Sequence, residues 1–306
     1  MKKFLVKIIT FFFLLAFIDY IWGISFDNMV SKIDVGGAGR NNYICNKVVD
    51  DIIVFGSSRA EHHYNAQMIS DSLGIPCYNC GEGGCGIILS YGRLLMLSER
   101  HLPKLIIYEI TPEYDYLEGK DNHKYLYRLK QYYDRAGIDS IFWDVDKTER
   151  YKMLSGLYRH NSSFLQNSVA YFFRISTNTG VKGFRPINKE MDTMKIRKDA
   201  LANKSKNVYM FDSLKIKYFN KFLDRTSDIN KIFVVSPIWY GQNDAVLDTV
   251  IQICKNRNIK LLNFANDSKY VHHNEYFSDG KHLNARGADE FTKDFIKALR
   301  KECIIE

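Results

Sequence analysis

The chain has 306 residues, 46% hydrophobic and 25% charged, which excludes a mainly disordered state and leaves room for one large α/β domain or two small ones. Its formal charge of +8 is spread along the sequence beside acidic neighbours, with no basic helix carrying base-reading residues. Nucleic acid is therefore not an expected partner, and proximity to an anionic membrane or polymer suits the charge better.

The first stretch, MKKFLVKIITFFFLLAFIDYIWG, places Lys2, Lys3 and Lys7 before an apolar run from Ile8 to Ile18, with Tyr20 and Trp22 beyond it. A basic segment followed by an apolar one has the form of a targeting sequence. No small-x-small cleavage site follows, and the interfacial aromatics favour a retained anchor. Residues 1–25 are thus read as a signal-anchor, a single transmembrane helix in the inner (cytoplasmic) membrane with its lysines inside and residues 26–306 exported. The competing reading is a helix packed on a core, since Lys7 and Asp19 interrupt the run.

A polar, glycine-bearing link, DVGGAGRNN at 34–42, comes next. DIIVFG (51–56) is a short continuous apolar run, the pattern of a strand buried on both faces. The segment 59–73 has helical spacing, with Tyr64, Met68, Ile69 and Leu73 on its apolar side. IPCYNC (75–80) reads as a second strand, 85–102 as a helix and PKLIIYEI (103–110) as a third strand. The rhythm returns with KIFVVSP (231–237), a helix over 243–258, the strand IKLLNF (259–264) and a closing helix over 283–301. Such alternation predicts a parallel sheet with helices on both faces. Between the two stretches lies an insertion, roughly 113–205, rich in aromatic and basic residues and mainly helical, with polar turns over 174–192. It either shapes a ligand crevice beyond the strands' carboxyl ends or only covers apolar surface.

Three turns at predicted strand ends carry polar chemistry. Gly56-Ser57-Ser58-Arg59 follows the first strand, Asn79-Cys80-Gly81-Glu82-Gly83-Gly84 follows the second, and Asp279-Gly280-Lys281-His282 precedes the last helix. A serine needs a base within hydrogen-bond reach to become a nucleophile. A histidine supplies that base, a carboxylate fixes its tautomer, and glycine-loop amides can face a developing oxyanion. Alone, Ser58 reads more readily as a helix cap.

Together these blocks resemble the SGNH (GDSL-like) hydrolase superfamily. Gly56-Ser57-Ser58 stands where that family has G-D-S, Asn79 to Gly84 resembles its glycine block, and Asp279 to His282 matches its D-x-x-H. The resemblance implies a flavodoxin-like three-layer α/β/α fold, of a membrane-anchored cell-envelope branch, covering the α/β parts and leaving the insertion unmatched. It implies Ser58 as nucleophile, His282 as base, Asp279 as its orienter, and the amides of Ser58 and Gly84 as oxyanion donors. One block departs: G-x-N-D should follow the third strand, where YEITPEYD (108–115) holds no asparagine. Thr111 or a backbone amide replaces it, or the hole has two donors, or activity is weak. A lost donor costs about 3 kcal/mol of transition-state stabilisation.

The expected reaction is acyl transfer at an ester, acetyl esters first, plausibly on a cell-envelope or capsular glycan or a small ester. An O-acyltransferase on the same fold and a catalytically lapsed glycan-binding or scaffold protein are the alternatives. Arg59, Asn79, Thr111 and Glu113 are candidate substrate contacts, Arg59 serving otherwise to fix its turn. Glu109, Glu113 and Asp115 either contact substrate hydroxyls or, the more frequent case at a strand end, are solvated, and the adjacent His62 and His63 are expected to face the surface or a partner. Trp239 and Tyr240 stack on sugar rings or pack in the core. Neither metal nor cofactor is expected: Cys77, Cys80 and Cys85 lack a second pair at zinc spacing, so buried or partly paired cysteines are the reading.

Overall fold

The computed structural model describes residues 1–119, 122–175, 180–192 and 210–302. Residues 120–121, 176–179 and 193–205 of the expected insertion lie outside the described residues. The chain divides into two compact units, one of residues 1–47 and 125–179, the other of residues 48–124 and 180–306.

The second unit is built on strands β1 (Ile52–Gly56), β2 (Cys77–Asn79), β3 (Leu105–Glu109), β4 (Asn230–Val235) and β5 (Lys260–Asn263). All pair in parallel, in the order β2-β1-β3-β4-β5, which is that of flavodoxin-like folds. Successive side chains alternate between sheet faces, and both faces are covered. Ile52, Val54, Ile107 and Val234 join the cluster with Phe291 and Phe295 of the last helix, α13 (Ala285–Lys301). On the other face Phe55 and Tyr108 meet Phe222 of α11 (Ser213–Arg225), with ring centroids 5.7 and 5.3 Å apart. The expected α/β fold with a parallel sheet between helical layers is therefore present.

Beyond β1 the expected helix 59–73 is two helices, α3 (Ser58–His63) and α4 (Ala66–Leu73). Asn65 accepts the Met68 amide at 3.1 Å and caps α4. Tyr64, fully buried, gives its hydroxyl to Glu109 instead of continuing the helix. The edge strand β2 is covered locally: the Asn79 amide donates to the Lys182 carbonyl at 2.9 Å. At Gly183, with φ +81°, a Cβ would lie 2.0 Å from the Asn79 oxygen, so only glycine permits this approach.

The first unit consists of helices α1 (Lys2–Ser31), α2 (Gly36–Asn46), α7 (Ile138–Val145), α8 (Glu149–Lys152), α9 (Gly156–His160) and α10 (Phe164–Phe173). Helix α1 is long and apolar enough to cross a membrane, and compatible with a single-pass anchor. The segment 34–42 read as a link is mostly helix. Its glycines allow close backbone approach, a Cβ at Gly39 falling 2.2 Å from the Asp34 carbonyl carbon. The Asn42 amide group holds the carbonyls of Val30 and Ile33, both at 2.8 Å. These contacts outweigh the low helix propensity of glycine. Cys45, Cys77, Cys80, Cys85 and Cys254 are all buried.

Candidate active site

The carboxyl ends of β1, β3 and β4 are level, Gly56 pairing with Glu109 and Glu109 with Val234. Gly56 turns the chain off the sheet at φ +137°, where a Cβ would lie 2.6 Å from the Glu109 carbonyl oxygen. Ser57 then takes the N-cap position of α3 without capping it; its hydroxyl bonds that of Thr111 at 2.7 Å. Ser58 opens α3 with its Oγ 2.8 Å from Nε2 of His282.

His282 Nδ1 lies 2.9 and 3.0 Å from the two oxygens of Asp279. The same carboxylate accepts the amides of Lys281 and His282 at 2.8 and 2.9 Å, so one tight turn sets the D-x-x-H spacing. Partial burial would raise the Asp279 pKa, but the hydrogen bond and charge of His282, with these amides, bring it down to about 2. An ionised Asp279 accepts a hydrogen bond from Nδ1–H, leaving Nε2 to accept from the Ser58 hydroxyl. The structure thus brings Ser58, His282 and Asp279 into one chain of hydrogen bonds.

Behind the triad lies a set of buried groups that sequence reasoning missed. The Leu283 amide, next to His282, donates to Nε2 of His63 at 2.9 Å. His63 Nδ1 meets the Ser236 hydroxyl at 2.8 Å, and that hydroxyl donates to Glu109 at 2.9 Å. All three bonds agree on one neutral tautomer of His63, protonated at Nδ1. Burial, with His282 and Arg59 nearby, pushes its pKa well below the usual histidine value. Glu109 also pairs with Arg59 Nε at 3.1 Å. Burial raises the Glu109 pKa against the pull of Arg59.

Several expectations are corrected here. Glu109 and Asp115 are not solvated but fully buried. A carboxylate next to a strand's apolar run can stay inside when an arginine follows the neighbouring strand, as Arg59 does. Asp115 accepts the Thr111 amide at 2.6 Å and the Tyr108 hydroxyl at 2.8 Å, while burial lifts its pKa to about 7. His63 does not face the surface but is wholly buried. His62 is half-buried, with Nδ1 2.6 Å from the Arg185 carbonyl.

Among the candidate substrate contacts, Arg59 is buried and reaches the Ile110 carbonyl, so it fixes its turn. Asn79 is buried, holding the Ala60 and Tyr64 carbonyls at 2.7 and 3.0 Å and the Gly81 amide at 2.9 Å. Thr111 is bound by Ser57 and faces inward. Glu113 is exposed at the rim, paired at 3.0 Å with Lys281 from within the D-x-x-H turn.

In the glycine loop, Gly83 comes nearest Ser58, a Cβ there lying 3.9 Å from the serine Cβ. Its amide donates to Glu61 at 2.9 Å, and Glu61 is held in turn by Arg185 at 2.6 Å. Gly84, at φ +74°, borders open space. Trp239 gives its indole N–H to Asn274 at 2.8 Å, and its amide supports the Gly280 carbonyl at 3.2 Å.

No protein-family model and no curated protein matches the chain. Among solved structures it is similar to a gut microbial diltiazem-metabolizing enzyme, at 11% identity and TM-score 0.39, over 82% of this chain and 47% of the other. It thus spans about half the length of that protein. A candidate acylhydrolase from Bacteroides fragilis matches at 12% identity and TM-score 0.37, covering 86% of this chain and 94% of the other. The acetyl xylan esterase Est2A from the rumen bacterium Butyrivibrio proteoclasticus matches at 10% identity and TM-score 0.35, over 83% and 65%.

Proposed function

We propose that this chain is an SGNH-type serine hydrolase of acyl esters. The observation that carries the reading is the Ser58–His282–Asp279 hydrogen-bond chain at the carboxyl ends of parallel strands. In the first half-reaction Ser58 Oγ attacks the ester carbonyl as its proton passes to His282 Nε2. Asp279 stabilises the imidazolium so formed, and the amides of Ser58 and Gly84 face the oxyanion. Collapse breaks the ester C–O bond, and His282 returns the proton to the departing alkoxide. Water then attacks the acyl-Ser58 with His282 again as base, releasing the acid and restoring the serine.

Acetyl is the acyl group proposed. A chain anchored by α1 with its lysines on the cytoplasmic side carries this site outside, where a cell-envelope or capsular glycan is the proposed substrate. A sugar hydroxyl in place of water would make the same chemistry an O-acyl transfer. One observation favours a second reading, a lapsed glycan-binding or scaffold protein: Thr111 and Asp115, where the family's asparagine block falls, are both committed inward.

Hydrolysis of p-nitrophenyl acetate by the intact chain and by Ser58→Ala separates the readings. Loss of about 10³-fold or more in kcat is expected for the variant. Equal rates would remove Ser58 as nucleophile. Acetate appearing on an added oligosaccharide rather than in solution would identify the transferase.

A further inference from the structure

Helix α1 carries one charged residue, Asp19, between Lys7 and Asp27. At about 1.5 Å per residue, the twenty steps from Lys7 to Asp27 span about 30 Å, the thickness of a bilayer's hydrocarbon core. In a spanning α1, Asp19 therefore lies about 12 Å inside the boundary marked by Asp27. A carboxylate at that depth needs partners, and it has them. The amides of Gly156 and Leu157, at the start of α9, donate to Asp19 at 3.0 and 2.8 Å.

The attachment continues along α1. Gly156 and Gly23 meet backbone to backbone, a Cβ on Gly156 lying 2.5 Å from the Gly23 Cα. Phe164, at the start of α10, packs on Trp22 and Phe26 with ring centroids 5.8 and 5.2 Å apart. Asp27 closes the seam with Arg159 and His160, both at 2.7 Å. These contacts fall between residues 19 and 27 of α1, inside the length that the membrane would cover; farther along α10, Ala170 packs with Phe26, Val30 and Ile33 and Arg174 pairs with Asp34 at 2.6 Å, at and beyond that boundary.

The outward side of α10 has the wrong polarity for water. Asn167 and Ala170 are turned inward and buried, whereas Leu165, Phe172 and Phe173 are 76, 70 and 69% exposed. Leu154 and Leu157, beside α9, are exposed as well. An apolar stripe that starts beside the outer half of a spanning helix and leaves it at the membrane boundary fits lipid acyl chains and the zone just outside them.

We propose that α9 and the start of α10 are embedded in the leaflet crossed by the C-terminal half of α1, with Leu165 against acyl chains and Phe172 and Phe173 at the outer boundary of the hydrocarbon. The inference rests on α1 spanning the bilayer, and the test separates the two. The full chain carrying Cys303→Ser is reconstituted in phosphatidylcholine vesicles with a single environment-sensitive label. The label sits at Phe13→Cys on α1, Leu165→Cys or Phe172→Cys on α10, or Lys297→Cys on the polar side of α13. These are exposed positions, and the remaining described cysteines are buried. Lipids bearing a nitroxide on the acyl chain are expected to quench the labels at 13 and 165 at least twofold, to quench 172 more weakly, and to leave 297 unquenched. Quenching at 13 but not at 165 overturns the proposal while leaving the anchor intact, and assigns the α10 face to a protein partner or a second copy. No quenching at 13 overturns the spanning helix and the proposal with it. The unmodified chain gives a second readout: photoreactive acyl chains should form adducts within residues 154–173, and adducts confined to residues 2–27 would contradict the proposal.

Discussion

At the end of β1 the hydroxyl of Ser58 leaves the fold and meets His282, whereas at the end of β3 the polar groups turn inward. The Thr111 hydroxyl shares a hydrogen bond with Ser57 and its amide donates to Asp115, and Glu109 takes up Arg59, Tyr64 and Ser236. One strand end is thus arranged to react, and the neighbouring one to hold it in place. On the proposed reading, the absence of an asparagine from the second turn would weaken oxyanion binding without disturbing what supports Ser58. The two ends are also tied directly, through the Ser57–Thr111 bond and the Arg59–Glu109 pair.

Substitutions at each end should separate reaction from support. The largest effect is expected for Asp279→Asn, which leaves the turn's size unchanged but presents the wrong tautomer of His282 to Ser58. Ester hydrolysis should fall about 10³–10⁴-fold with little change in Tm; a loss under about tenfold, measured on p-nitrophenyl acetate, would detach Asp279 from the mechanism. Glu109→Gln should act the other way, on stability first. It leaves the buried Arg59 charge unpaired at a cost of about 3–5 kcal/mol, seen as a Tm drop of roughly 10 °C. An unchanged Tm would mean that the buried pair is not what holds the two strand ends together.

Thr111→Val should be milder. It removes the partner of a buried Ser57 hydroxyl, costing about 1–3 kcal/mol in denaturant unfolding. If Thr111 acted instead as an oxyanion donor, kcat would fall about 10²-fold or more at unchanged stability. The smallest and sharpest test concerns pH. Asp115 has its pKa raised from 3.8 to about 7 by burial. The unfolded chain therefore loses this proton at lower pH than the fold does. Its contribution to stability is full below about 4 and lost as pH rises towards 7, with a slope approaching 1.4 kcal/mol per pH unit between them. Asp115→Asn should remove that slope from unfolding curves taken between pH 4 and 8, whatever its effect at any single pH.

Much of this was legible in the residues because it depends on local signals. Continuous apolar runs marked the buried parallel strands, and the Gly56-Ser57-Ser58 and Asp279-to-His282 blocks pointed to one site from 224 residues apart. What escaped depends on partners that are distant in the chain. The break at Tyr64 follows from a hydroxyl bond to Glu109, 45 residues on. The helix over 36–46 forms despite its glycines because Asn42 binds two carbonyls at the end of α1. His63 looked like a surface residue beside His62, yet its two bonds reach Ser236 and Leu283. Its place on the helix that Ser58 opens was visible; the acceptor it offers to Leu283, the residue after His282, was not.

The triad is most directly tested by trapping its nucleophile. Treatment of the intact chain with a fluorophosphonate ester, followed by mass spectrometry of its peptides, should give one phosphonyl group per chain on Ser58. Labelling should vanish in His282→Asn, which keeps the serine but removes the base. Adduct formation on another residue, or equal labelling of Ser58 with and without His282, would contradict the assignment.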